Sequence, residues 1–154
     1  MAGKKKNSGG PCPVARGVDL VGDHWVLLIV RDAFDGVRRF GDFQRSLGVA
    51  RNILSDRLRV LVEDGILASQ PASDGSAYEE YVLTPKGTDL FPVIVALRQW
   101  GERHLFARGE AHSVLVHRAT GNEVGELALR TADGQEVSAA GTFVRKVAPA
   151  TGQG

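Results

Sequence analysis

Apolar positions recur at helical spacing through the first hundred or so residues, interrupted by strand-like runs between residues 66 and 83, and beyond residue 112 the character changes to short strand-like runs separated by turns. Val14, Val18 and Val21 mark a first helix over residues 13–22, with Pro13 suited to its first turn. Asp23 is placed to cap a second helix carrying Trp25, Leu28, Ile29 and Phe34, which ends near Asp35 and Gly36. A short third helix is expected over residues 41–47, with Phe43 and Leu47 stacked four apart, and Gly48 then makes the turn. A fourth helix follows over residues 50–64 and is stopped by Gly65. At 100° per residue Leu54, Leu58 and Leu61 fall within about 60° of one another and form its buried face. Asn52, Asp56, Arg59 and Glu63 lie opposite, with Ser55 on one flank and Arg57 across the apolar stripe.

Residues 66–70 and 79–83 read as two strands joined by a loop that contains the Asp74-Gly75 turn signal. Thr84 caps a fifth helix with Pro85 at its first position, expected to continue to about Ala107. Leu90, Phe91, Ile94, Leu97, Trp100 and Leu105 give it a broad apolar face, while Gly87, Pro92 and Gly101 are imperfections in it. Further strands are expected over residues 113–118, 123–130 and 136–145, too little to hold a core of their own. The fold class is therefore mainly α with a β-hairpin wing, a winged helix-turn-helix, plus a small C-terminal β appendage. The expected division is a disordered basic arm over 1–10, a main domain over 11–107, the appendage over 112–146 and a frayed tail over 147–154.

Composition narrows the function classes. An apolar fraction of 43% and a charged fraction of 24% in 154 residues suit a soluble globular protein, and no apolar run is long enough for a membrane span. Lys4, Lys5 and Lys6 lead into Asn-Ser-Gly-Gly-Pro, which is no signal peptide, and a cytoplasmic protein is expected. One cysteine excludes an internal disulfide framework and a multi-cysteine zinc site. His24, His104, His112 and His117 neither cluster nor pair with carboxylates at catalytic spacing, and no phosphate loop, nucleophile elbow or metal motif is present. No enzyme and no cofactor are expected.

The net charge of +1 hides an asymmetry: residues 37–60 hold six arginines against two acids, whereas residues 61–154 hold eight Lys/Arg against twelve Asp/Glu. A groove-reading helix must be buried on one side and polar on the other, and the helix after Gly48 meets both demands. Arg51 and Asn52 stand in its first turn, where arginine can grip guanine O6 and N7 and asparagine adenine N6 and N7. Ser55 and Arg59 follow one and two turns on, completing the candidate base contacts. Arg38, Arg39, Arg45 and Arg57 are candidates for phosphates or supporting ion pairs, and Arg57 suits a structural salt bridge equally well.

The stretches CPVARGVDLVGDHWVLLIVRDAFDGVRRFGDFQRSL, NILSDRLRVLVEDGIL and YVLTPKG, with the Trp100-Gly101 pair, resemble the HxlR-type winged helix-turn-helix regulators of bacteria, which are MarR-like. The likeness runs from about Cys12 to Leu105. It implies a homodimeric transcriptional regulator of double-stranded DNA, dimerising through its N- and C-terminal helices and reading a near-palindromic operator with the helix at 50–64. Family members often carry serine where Ala50 stands, so a helix cap worth roughly 1 kcal/mol is forfeited here. The hairpin tip at residues 72–77 has no Lys or Arg although wings in the family are often basic, and Glu79 and Glu80 would repel a DNA backbone they faced. The appendage resembles the small zinc ribbon of longer members, but Thr120, Arg130 and Asp133 stand at the expected thiolate positions, so a metal-free module is expected.

Cys12 matches in position the sensing cysteine of some redox- and quinone-responsive relatives, and a thiol before a helix is made more reactive by the helix dipole. It could be alkylated or cross-link to a twin, or it could be a small packing residue. Trp25, Phe34, Phe91 and Trp100 read as core or dimer contacts, and a small-molecule effector would draw on the same side chains. The competing reading is a protein-interaction module that keeps the fold with weak or no DNA affinity.

Overall fold

The structure, a computed structural model, describes residues 10–148. The basic arm expected at residues 1–10 and the tail expected at 147–154 lie, apart from Gly10, Val147 and Ala148, outside the described residues. The elements in order are α1 (Pro13–Val21), α2 (His24–Phe34), α3 (Phe40–Leu47), α4 (Arg51–Glu63), β1 (Leu67–Pro71), β2 (Glu79–Leu83), α5 (Pro85–Thr88) and α6 (Phe91–His104). A mainly helical chain with one antiparallel hairpin is the winged helix-turn-helix expected from the sequence. The chain forms two compact units, one ending at Val95 and the other beginning at Ala96.

In the first unit, local chemistry sets each boundary. Asp23 Oδ1 accepts from the Trp25 and Val26 N–H groups at 2.9 and 3.2 Å and opens α2. Gly48 ends α3 at φ 60°, a left-handed backbone that glycine adopts without a Cβ penalty, and its N–H bonds to the Gln44 carbonyl at 2.9 Å. Ala50 then starts α4 with no side-chain cap, as its methyl group dictates. Leu54, Leu58 and Leu61 of α4 are buried with Val26, Ile29 and Val30 of α2, Phe43 of α3, Val49, Ile66 and Leu67 in one apolar core. Each such side chain withdrawn from water contributes about 1.5–3 kcal/mol, which fixes the angle of α4 against α2 and α3.

The hairpin pairs Leu67 with Leu83 through Pro71 with Glu79. Arg38, before α3, accepts from the Tyr81 N–H at 2.7 Å, so the segment between α2 and α3 is bonded to β2 on the side away from β1. Thr84 caps α5 as expected, its Oγ1 accepting from the Gly87 N–H at 3.0 Å.

Three expectations are corrected. The fifth helix is two helices, because Pro92 has no N–H for the Thr88 carbonyl and its ring crowds that oxygen. Asp89 and Leu90 turn instead, the Leu90 N–H closing onto the Gly87 carbonyl at 3.0 Å, and α6 stops at His104 rather than near Ala107. Gly87 is no imperfection: a Cβ there would lie 2.1 Å from the Ile66 carbonyl oxygen, so only glycine lets α5 approach the end of α4's loop this closely. Finally, the three strands expected after residue 112 reduce to two isolated antiparallel bridges, Val116 with Glu123 and Arg130 with Glu136.

In the second unit the turns beside these bridges are held by side-chain hydrogen bonds. Thr120 Oγ1 is bonded to His117 Nδ1 at 3.0 Å and accepts from the Asn122 N–H at 3.2 Å. Thr131 Oγ1 accepts from the Gln135 N–H at 2.9 Å and donates to Asp133, while Arg130 donates to the Gly134 carbonyl at 3.3 Å. Gln99 of α6 bonds this segment through both ends of its amide, donating to the Gly125 carbonyl at 3.0 Å and accepting from the Leu127 N–H at 2.8 Å.

Candidate nucleic-acid interface

Burial of Leu54, Leu58 and Leu61 turns the other side of α4 outward, and Arg51, Asn52, Ser55 and Arg59 are all exposed there. The Arg51 guanidinium carbon lies 5.1 Å from the centre of the Phe40 ring, at the start of α3. Such a stack steadies a cation without neutralising it. Among the described residues Arg51 has no ion-pair partner.

The other five arginines of this region each have one. Arg59 donates to Asp56 at 2.7 Å and to Glu63 at 2.8 Å, within α4 itself. Arg57 spans two elements, its Nε on Asp23 at 3.2 Å and its Nη1 on Asp56 at 2.9 Å, with its side chain only 27% exposed. Of the two roles open to Arg57, the structure contains the ion pair. Arg45 pairs with Asp42 one turn back on α3. Arg38 lies 3.6 Å from Glu80, and Arg39 pairs with Asp74 at the hairpin tip and lies 3.9 Å from Glu80.

These pairs change the reading of the wing. Glu80 does not face outward as an exposed repelling charge: it is 4% exposed and accepts from the Ser73 N–H and hydroxyl at 3.3 and 3.2 Å. Glu79 is exposed and accepts from the Ser69 hydroxyl at 3.0 Å. The tip lacks a basic residue of its own, yet Arg39 is brought to it and its guanidinium carbon lies 5.4 Å from the Tyr78 ring centre. Sequence reading missed Phe40, Asp74, Tyr78 and Glu80 as partners of the arginines. The surplus of acids after residue 61 hinted at Asp74 and Glu80, and nothing in the local pattern hinted at the two rings.

The carboxyls carry matching shifts. Burial works against ionisation of Asp23, but the Arg57 hydrogen bond and charge, with the two capping N–H donors, outweigh it and hold the carboxyl below its ordinary value. Asp56 is held low chiefly by the Arg59 hydrogen bond, with help from Arg57. Asp74 falls well below the carboxylate range through hydrogen bonds from Ser76 and, next, from Arg39.

Cys12 is exposed and serves as N-cap of α1, its Sγ accepting from the Ala15 N–H at 3.4 Å. Trp25 and Phe34 pack on the core, and Phe34 forms a tilted ring pair with Phe91 at 5.2 Å. Trp100 is half exposed and pairs with His104. No helix among the described residues is long and apolar enough to cross a membrane.

Residues 20–108 match the family model for HxlR-like helix-turn-helix proteins. An HTH-type transcriptional regulator of Mycobacterium tuberculosis strain H37Rv is 44% identical over 142 residues, which cover 92% of this chain and 86% of that protein. The regulator YdeP of Bacillus subtilis is 31% identical over 94 residues, covering 60% of this chain and 73% of its own length. Among solved structures, PA1607, described as a candidate transcription factor, superimposes with a TM-score of 0.84 at 52% identity, covering 90% of this chain and 97% of its own. The redox regulator HypR in its reduced form does so with a TM-score of 0.57 at 29% identity, covering 61% of this chain and 94% of its own.

Proposed function

The chain belongs to the HxlR-like helix-turn-helix family, whose members here are transcriptional regulators and not enzymes, and on that premise we propose that it binds a near-palindromic operator as a homodimer. The observation that carries this reading is the outward face of α4, where Arg51, Asn52 and Ser55 stand exposed beside three buried leucines. Each α4 enters a major groove, with half-sites about one helical turn apart. Arg51, Asn52, Ser55 and Arg59 address bases; Arg38, Arg39, Arg45 and Arg57 address phosphates or brace the helices that do. The working limits are an arm over 1–10, a DNA-binding and dimerisation domain over 11–107 and an appendage over 112–146, in a cytoplasmic protein.

Dimerisation is supported by exposed apolar side chains on the helices that the family uses for it: Val14 and Val18 on α1, and Phe91, Val93, Leu97 and Trp100 on α6. An oxidant or electrophile acting at the exposed thiol of Cys12, or a small molecule among the helices, would set the state of the dimer. Likeness to the redox regulator HypR supports the first. The internal pairing of five arginines favours a second reading, an interaction module with weak DNA affinity.

One experiment addresses both readings. Genomic fragments bound by the purified protein are selected with and without reductant, and their affinity is followed as salt rises. A regulator recovers a recurrent near-palindrome and loses affinity steeply with salt through counterion release. A chain that enriches no sequence and shows no salt dependence is an interaction module. Cys12→Ser that leaves release by diamide unchanged removes the thiol from the scheme.

A further inference from the structure

Between Leu67 and Leu83 the hairpin carries no lysine or arginine, and its charged residues, Asp74, Glu79 and Glu80, are all acidic. A wing so composed is repelled by a DNA backbone unless a cation reaches it from elsewhere. Arg39 does, across 35 positions of sequence, pairing with Asp74 at the tip and stacking on Tyr78.

Its two carboxylates are not equivalent. The Glu80 side chain is 5% exposed and is held by Arg38, Arg39 and Ser73; it keeps its cations, because stripping them would strand a charge away from water. The Asp74 side chain is 54% exposed and that of Arg39 33%, so water can replace either partner at little cost. Asp74 is also fixed in place, accepting from the Ser76 N–H at 3.0 Å. The guanidinium is thus backed by a buried acid, steadied by a ring and covered by an exchangeable oxyanion. Carboxylate and phosphate offer the same two-oxygen edge to that fork.

We propose that Arg39 is the wing's contact to the DNA backbone, and that Asp74 occupies the phosphate's place on it while the protein is free. The proposal deepens the DNA-binding reading and rests on it. Binding then exchanges one anion for another at Arg39, and Asp74 acts as a built-in competitor that weakens every complex by a constant factor.

The test is a double-mutant cycle on the full chain, with a selected genomic duplex followed by fluorescence anisotropy from about 50 to 200 mM salt. Asp74→Asn is expected to bind about three- to fivefold tighter, the release of one exposed ion pair. Arg39→Gln is expected to bind more weakly, with a log–log salt slope shallower by about one. In the Arg39→Gln background, Asp74→Asn should change affinity by less than about 1.5-fold, because the competitor has nothing left to compete for. If Arg39→Gln does not fold, Arg39→Lys, which keeps the charge and loses the fork, takes its place and should shrink the Asp74→Asn gain. Equal tightening by Asp74→Asn in both backgrounds would reduce Asp74 to a diffuse charge and overturn the exchange. Unchanged or weaker binding by Asp74→Asn alone would also overturn it. No salt-sensitive binding by the unsubstituted chain overturns the DNA reading itself, and the exchange with it.

Discussion

Arg57 of α4 donates from its Nε to Asp23 Oδ1 at 3.2 Å, and the same oxygen accepts the Trp25 and Val26 N–H groups that open α2. The cap of one helix is therefore the tether of another, and the orientation of the outward face of α4 depends on it. Asp23→Ala removes a cap worth about 1 kcal/mol and leaves Arg57 half-partnered, for an expected loss of about 2 kcal/mol in urea unfolding. Arg57→Lys should also lose stability, because Nε and Nη1 serve Asp23 and Asp56 separately and one ammonium cannot span both. Full stability in either variant would show that core packing alone sets the helix.

The same carboxyls predict an acid limit to stability. Asp23 and Asp56 titrate below their ordinary value of 3.8 in the folded protein, so unfolding binds protons as pH approaches that value. Their contribution is complete above pH 3.8 and is lost as pH falls through the lower, folded values. Thermal melts should hold steady through neutral pH and decline below about 4, more gently in Asp23→Asn. Salt should blunt the part owed to exposed Asp56 and spare more of that owed to Asp23. A decline beginning near pH 6 would show that these two carboxyls do not set the acid limit.

Two glycines that look alike in the sequence are predicted to behave oppositely. Gly87→Ala drives a methyl group to within 2.1 Å of the Ile66 carbonyl, and a loss of 2 kcal/mol or more, roughly that of an overpacked core, is expected. Gly101 lies within α6, where the nearest neighbour of an added Cβ is Leu105 Cδ1 at 4.0 Å. Gly101→Ala should gain about 0.5–1 kcal/mol from helix propensity. A paired denaturant titration decides, and equal effects would remove the packing explanation.

What the chain disclosed before folding was mostly short-range. Asp23 as a cap, Gly48 as a turn, the Leu54–Leu58–Leu61 stripe and Thr84-Pro85 all act within about one helical turn, and each stands where its local chemistry puts it. Pro92 marks an imperfection in the fifth segment but does not by itself disclose two helices, because a missing N–H says nothing of how the orphaned carbonyl is answered. Partners of the arginines from other elements were not legible. Asp23 and Arg57 are 34 residues apart and Arg39 and Asp74 35 apart, and only the packed core brings them together. The strand-like runs after residue 112 form no sheet: among the described residues of their unit none is buried, so a strand face there has no core to pack on.

The contrast between Arg51 and Arg59 gives the sharpest prediction about the reading helix. Both are exposed on α4, but Arg59 is bonded to Asp56 and Glu63, whereas Arg51 rests on Phe40 with its donors unclaimed by any acid among the described residues. To grip a base, Arg59 must first surrender two carboxylates, and what it gains is offset by what it leaves. Arg51 surrenders nothing. Arg51→Ala is therefore expected to erase discrimination at one base pair per half-site, at about 1–3 kcal/mol against the best operator and almost nothing against mismatched ones. Arg59→Ala should relax the preference at a second base pair by less, because Arg59 must leave Asp56 and Glu63 to reach it. Affinity measured against an operator library with each position varied separates the two patterns. If Arg59→Ala erased a base preference and Arg51→Ala did not, the helix would enter the groove by its middle rather than by its first turn.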